Sequence, residues 1–271
     1  MLKLFRLNIF TILFILFLLF TGCVSTDTET VPEEKIAEEQ DVSRKEMCHD
    51  WAGLFIGEFI IENNVWGKAD ITDYKQCIFQ ETGDTLTFGW SWNWPSADGS
   101  VKAYPEIIYG NKPWAQSSTT PNLPIQLSEM NEIIVTYDTV TEATGVYNFA
   151  FDIWITFSDE INPENISREI MIWVNNAGMI PAGEATDIIT IDGEKYAFYA
   201  GDVNTGEWLY VAFVKEVKSE SAMLNIHNFL TYLIENEYMS SEEYLASIEF
   251  GNEIVQGSGE VVFYNYTINM N

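Results

Sequence analysis

The chain is poor in the residues that most often carry metal or acyl-transfer chemistry. Among 271 residues there are two histidines, His49 and His227, and three cysteines. Neither histidine has a partner at metal-ligand spacing, so no metal centre is expected. No serine sits in a Gly-x-Ser-x-Gly elbow, and no glycine-rich phosphate loop is present. Basic residues are scarce as well: 13 Lys and Arg face 41 Asp and Glu, a formal net charge of -28. A basic face for phosphate backbones is therefore excluded, and with it nucleic acid as a partner. No repeat of fixed period appears, which argues against a propeller or solenoid. Aromatic residues, by contrast, make up 14% of the chain, and a neutral polysaccharide is a polymer that aromatic side chains can bind despite the acidity.

Long apolar runs are nearly absent. Ile9 to Phe20 is the exception, and it is too short to span a bilayer comfortably. Lys3 and Arg6 precede it and Thr21-Gly22-Cys23 follows, which is the pattern of a secretory signal over residues 1–22. The end of the run resembles a bacterial lipoprotein cleavage box, with Phe20 where Leu is more usual. Cys23 would then be the lipidated first residue, at the cell surface, with an uncleaved anchor as the second reading. The only membrane contact expected is through that N-terminus. Cys48 and Cys77 remain, free to pair in an oxidising compartment or to stay as buried thiols.

Residues 23–46 are rich in Glu, Asp, Thr and Ser and read as a solvated tether. Residues 47–271 form the folded domain, in which short β-branched and aromatic runs are broken by Gly, Asn, Asp and Pro. Such runs include Leu54–Ile61, Thr85–Trp94, Ile133–Tyr137, Tyr147–Thr156, Glu169–Val174 and Val261–Ile268. Many strands at close spacing predict an all-β sandwich or barrel. Met223, Ile226, Phe229, Leu230 and Leu233 recur at helical spacing after Ser219 and Ser221. They predict one helix, about Ala222 to Glu235, packed on the sheets, and Ser240 with Glu243 reads as a capping box for a further turn.

Three predicted strands place carboxylates opposite an apolar face. Glu169, Met171, Trp173 and Asn175 alternate with Ile170, Ile172 and Val174. Asp152 and Trp154 lie opposite Phe151 and Ile153. Over Ser247–Val255, Glu249, Gly251 and Glu253 lie opposite Ile248, Phe250 and Ile254, and Gly251 would let a ligand approach the backbone. A carboxylate beside Trp and Asn suits a cleft that stacks on a sugar ring and bonds its hydroxyls. A solvent-facing strand with an incidental Glu fits the pattern about equally well. Glycoside cleavage with retention needs two carboxyls about 5 to 5.5 Å apart. Phe88, Trp90, Trp92 and Trp94 alternate down one strand face, as sugar platforms or as sandwich core.

From about Cys48 to the end, the chain resembles glycoside hydrolase family 12, the β-jelly-roll endoglucanases and xyloglucanases. The likeness rests on Asn63-Asn64-Val65-Trp66-Gly67, Tyr104-Pro105, Asn122-Leu123-Pro124, Phe151-Asp152-Ile153-Trp154, Glu169-Ile170-Met171-Ile172-Trp173 and Gly251-Asn252-Glu253, in order. It implies a jelly roll of two curved antiparallel sheets, a monomer without cofactor, and retaining hydrolysis of a β-1,4-glucan. Glu169 would be the nucleophile, Glu253 the general acid/base, and Asp152 a hydrogen-bonding neighbour of the nucleophile. Asn64, Trp66, Met171, Trp173 and the Pro181 loop would line the sugar cleft, with Trp92 a further candidate, and Cys48 with Cys77 would form a disulfide. Two departures bear on subsite specificity: Ile254 stands where many members have Pro, and Gly89 to Pro95 matches only some bacterial members. The rival reading is a carbohydrate-binding surface lipoprotein of the same fold without turnover.

Overall fold

The computed structural model describes residues 43–271 apart from 84, 97 and 202–207. The expected signal peptide, Cys23 and most of the tether lie outside the described residues. The first strands in chain order are β1 (Ser43–Met47), β2 (Gly53–Ile56), β3 (Phe59–Glu62), β4 (Lys75–Thr82), β5 (Leu86–Trp94), β6 (Glu106–Gly110) and β7 (Ile125–Gln126). They are followed by β8 (Ile133–Thr156), β9 (Ile166–Ala177), β10 (Ala185–Ile191), β11 (Glu194–Gly201), β12 (Leu209–Lys215) and β13 (Ser221–Asn225). Among the described residues one α-helix, α1 (Ile226–Glu235), precedes β14 (Tyr244–Gly251) and β15 (Ile254–Met270).

Two layers follow from the pairing. One runs β1-β4-β5-β15-β8, with β13 on the first half of β8. The other runs β2-β3-β6-β14-β8-β9-β12-β11-β10 through the second half of β8, antiparallel except for the parallel pair β9–β12. The expected all-β jelly-roll sandwich is what the chain forms. Inward-facing Trp90, Tyr137, Phe149, Phe151, Phe250 and Phe263 fill the space between layers, and Phe151 stacks on Phe250 at 4.0 Å. Burying such rings contributes about 25 cal/mol per Å² of apolar surface, the main favourable term for the fold.

The structure corrects several expectations. Ile133–Tyr137 and Tyr147–Thr156 are one strand of 24 residues, bent rather than broken, because Gly145 takes a positive φ of 111° opposite Gly257. The sheet starts at Ser43 rather than residue 47: β1 pairs with β4 from Ser43 to Met47, so the last residues assigned to the tether belong to an edge strand. The helix starts at Ile226. Ala222–Asn225 pair with β8 instead, so Met223 is 72% exposed and Asn225, not a serine, precedes the first turn. Ile226, Phe229, Leu230 and Leu233 are buried as the spacing predicts. Ser240 and Glu243 bond each other's backbone in a turn, without a further helix. Cys48 and Cys77 are joined in a disulfide.

Candidate active site

The concave face of the second layer collects the polar residues that strand alternation turned away from the core. Register sets Glu169 beside Trp154, Met171 beside Asp152 and Trp173 beside Ala150 across β9 and β8. On the other side of β8, Glu249 faces Asp152 and Gly251 faces Ala150. Glu253 lies not within a strand but in the break between β14 and β15. Asn148 of β8 fixes it there: Glu253 N–H donates to Asn148 Oδ1 at 2.8 Å, and Asn148 Nδ2 donates to Glu253 Oε2 at 2.5 Å. The preceding Asn252 is buried, donating to Asn148 O at 2.6 Å and accepting from Trp90 Nε1 at 2.8 Å. One ring of the aromatic stripe thus braces the acid/base candidate from behind.

Gly251 is needed for packing rather than for a ligand. A Cβ there would lie 2.4 Å from Pro105 O and 3.0 Å from the Tyr104 ring. Tyr104 in turn donates its hydroxyl to Ala150 O at 2.9 Å. The Tyr104-Pro105 motif therefore closes against the Gly-Asn-Glu motif.

Glu169 and Glu253 both keep a partly accessible edge, yet both are strongly desolvated. Burial pushes Glu169 up to about 7, opposed by a 2.8 Å hydrogen bond from Trp208 Nε1 to its Oε2. Burial and then the charge of Glu169 push Glu253 up to about 7, against the Asn148 amide. Asp152 is buried with its Oδ1 unpartnered, and burial followed by the charges of Glu169, Glu249 and Glu253 holds its carboxyl well above the usual range. Asp152 thus stands in register between Met171 of β9 and Glu249 of β14, within electrostatic reach of both glutamates.

The candidate sugar-binding residues divide. Trp66 is 58% exposed and can serve as a platform. Asn64 behind it is buried, with Nδ2 donating to Glu106 at 2.8 Å and Oδ1 accepting the Trp66 N–H at 2.9 Å. It shapes the Trp66 turn rather than reaching into the cleft. Met171 and Trp173 are buried with Tyr210, Ala150 and Ala212, and Met179 packs over them. They form a closed floor instead of an open stacking face. Pro181 is buried in the loop that carries Met179. Trp92 is a correction: at 3% exposure it packs against Tyr147 in the interior, over Gly259, where a Cβ would meet its ring at 2.5 Å.

The structure adds further residues to the site. Trp208 touches Glu169, and Trp114, 51% exposed, packs edge-on to Trp154 at 4.9 Å and lies 6.3 Å from Trp208. Beyond Trp114 opens a pocket of about 170 Å³ bordered by Trp51, Glu62 and Lys112. Lys112 pairs there with Glu106 Oε1 at 2.5 Å, Glu62 Oε2 at 3.1 Å and Glu249 Oε2 at 3.7 Å. Burial would lower Lys112, but the three carboxylates more than offset it and raise it. In the sequence, Trp114 lies close to the tryptophan-rich segment Phe88 to Trp94 and to Trp66 and Tyr104, whereas the burial of Lys112 carries no signal there.

Two desolvated carboxylates on an aromatic-walled concave sheet define the class of a two-carboxylate glycoside hydrolase. Residues 57–271 match the model of glycosyl hydrolase family 12. Endoglucanase S of Pectobacterium parmentieri is 36% identical over 227 residues, covering 81% of this chain and 85% of the relative. The xyloglucan-specific endo-β-1,4-glucanase A of Emericella nidulans is 29% identical, over 79% of this chain and 86% of its own. The ligand-bound structure of the Bacillus licheniformis family 12 xyloglucanase superposes with a TM-score of 0.78 at 31% identity, over 84% of this chain and all of its own. The chain belongs to glycosyl hydrolase family 12.

Proposed function

We propose that this enzyme is a retaining endo-β-1,4-glucanase in which Glu169 attacks the anomeric carbon and Glu253 first protonates the leaving oxygen, then activates water. The observation that carries the reading is the electrostatic linkage of the two glutamates. Each is desolvated to about 7, and the charge of Glu169 weighs on Glu253. Repulsion between them is mutual, so charge on one disfavours charge on the other. The pair favours holding one charge and one proton, the state a double displacement needs. On this reading Glu169 holds the charge and Glu253 the proton. Asp152, whose carboxyl burial holds well above the usual range, supports the nucleophile as a buried neighbour. The intact pair disfavours a binding protein without turnover.

A β-1,4-linked glucan fits the exposed faces of Trp66, Trp114 and Trp51. The names of the relatives point to cellulosic glucan or xyloglucan, and assays on cellulose, mixed-linkage β-glucan and xyloglucan decide between them. The enzyme acts outside the cytoplasm, held by lipid on Cys23, a reading that labelling with a fatty-acid precursor tests. Glu169→Ala is expected to abolish hydrolysis with oligosaccharide binding still measurable; turnover near the parent rate would overturn the assignment. Proton NMR of the first-formed product should show the β-anomer, whereas initial α-product would exclude retention.

A further inference from the structure

Glu169 needs one oxygen aimed at the anomeric carbon, and a carboxylate by itself does not hold one. The terminal torsion of Glu is broad and roughly two-fold, so a free carboxylate exchanges its oxygens. Trp208 directly precedes β12, and its Nε1 lies 2.8 Å from Glu169 Oε2. Two residues on, Tyr210 stands in register with Glu169 and donates its hydroxyl to Met171 Sδ at 3.3 Å. Two successive outward residues of this segment thus address two successive outward residues of β9.

The Trp208 ring is itself held. Trp154 meets it at 5.5 Å and 84°, and Trp114 at 6.3 Å and 70°, both edge-on, the favoured geometry for paired rings. Trp154 is buried and stands in register with Glu169 on β8. The anchor for the indole and the strand bearing the nucleophile are therefore neighbours in one sheet.

We propose that Trp208 is a positioning residue for the nucleophile: its indole N–H fixes Oε2 of Glu169 and leaves Oε1 to attack, an inference that rests on the double-displacement reading above. An indole N–H is a donor only and does not titrate in the working range. It favours the ionised carboxylate at every working pH without being able to surrender a proton to it. Fixing one oxygen also removes a rotation that would otherwise have to be frozen on reaching the transition state.

Trp208→Phe keeps an aromatic ring for the edge contacts and deletes the donor. On mixed-linkage β-glucan, kcat should fall roughly 10- to 100-fold, the loss of one hydrogen bond to a charged group, with KM within about threefold. The acid limb of kcat/KM should move to higher pH by roughly one pH unit, because the carboxylate loses a partner for its charged form. Labelling of Glu169 by a 2-deoxy-2-fluoro-cellobioside inactivator should slow by a similar factor. If KM rises while kcat and the acid limb stay put, Trp208 is only a sugar platform and the proposal fails. Should the Phe variant not fold, tryptophan's sulfur isostere benzothienylalanine at position 208 keeps the shape without the N–H and must show the same acid-limb shift. Glu169→Gln separates the two readings. If it retains turnover, the nucleophile assignment itself falls; if it is inactive while Trp208→Phe behaves as the parent, only the role of Trp208 falls.

Discussion

At the scale of single residues, Glu253 differs from Glu169 in what its loss should leave behind. A substrate whose leaving group needs no protonation bypasses the first duty of Glu253 but not the second. Glu253→Ala with dinitrophenyl β-cellobioside should therefore show a burst of dinitrophenol followed by turnover slowed roughly 10²- to 10⁴-fold. Added azide, entering the space the carboxyl vacates, should restore turnover and give a β-glycosyl azide. On a phenyl β-cellobioside, whose leaving group does need the proton, the alkaline limb of kcat/KM should also vanish, since it reports the proton on Glu253, which burial raises in the parent. A pre-steady-state trace without a burst, or an unchanged alkaline limb, would count against Glu253 as the acid.

At the scale of elements, the floor of the cleft depends on one cation. Lys112 follows β6 and draws Glu106 of that strand, Glu62 of β3 and Glu249 of β14 together under the concave face. Glu106 and Glu249 are almost fully buried. Removing the ammonium would leave buried carboxylates without a counter-ion, which typically costs about 3–5 kcal/mol. Lys112→Met should lower the urea midpoint accordingly at pH 7, and adding Glu106→Gln should recover part of the loss. A midpoint unchanged by Lys112→Met would mean that these carboxyls are already neutral without it. Glu106 also holds Asn64, and through it the turn of Trp66, so the double variant additionally reads how stiff that platform must be.

How much of this was legible depended on the kind of signal. The alternation along Glu169–Val174 marked an apolar face and a polar one, and the structure keeps both. The helix was legible where its spacing was regular, from Ile226 onward, but Met223 fell into the same period by accident while its backbone pairs with β8. The break at Asn252-Glu253 left no mark in the hydrophobic pattern, since it is made by hydrogen bonds from Asn148 some hundred residues away. Trp92 and Trp66 have the same side chain, and only the partner surface, Gly259 for one and solvent for the other, separates core from platform. Lys112 and Glu106 carried no signal because charged residues are rarely buried, and their burial depends on partners from three strands.

At the scale of the whole molecule, the cleft sets chemistry against stability. Glu169 and Glu253 are ordinary carboxylates in the unfolded chain, ionising near 4.5, but are held to about 7 when folded. Between those values the folded state binds more protons than the unfolded one, so stability falls as pH rises. Below about pH 4 the two groups are protonated in both states and this cost is absent. Above about pH 7 it is complete, on the order of 3 kcal/mol for each group taken alone. Glutamine has nearly the same shape and no charge to desolvate. Glu169→Gln and Glu253→Gln should therefore raise the thermal midpoint at pH 8 by several degrees while abolishing or crippling hydrolysis, and the gain should shrink towards zero at pH 4. Because the charge of Glu169 contributes to the shift on Glu253, the two gains should not add: once Glu169 is neutral, Glu253 ionises more easily and has less left to lose. Calorimetry of the parent, the two single variants and the double variant across pH 4 to 8 measures that coupling directly. Equal gains at both ends of the range would show that the fold does not hold the carboxyls against their charge, and strictly additive gains would show that the two do not feel each other's charge.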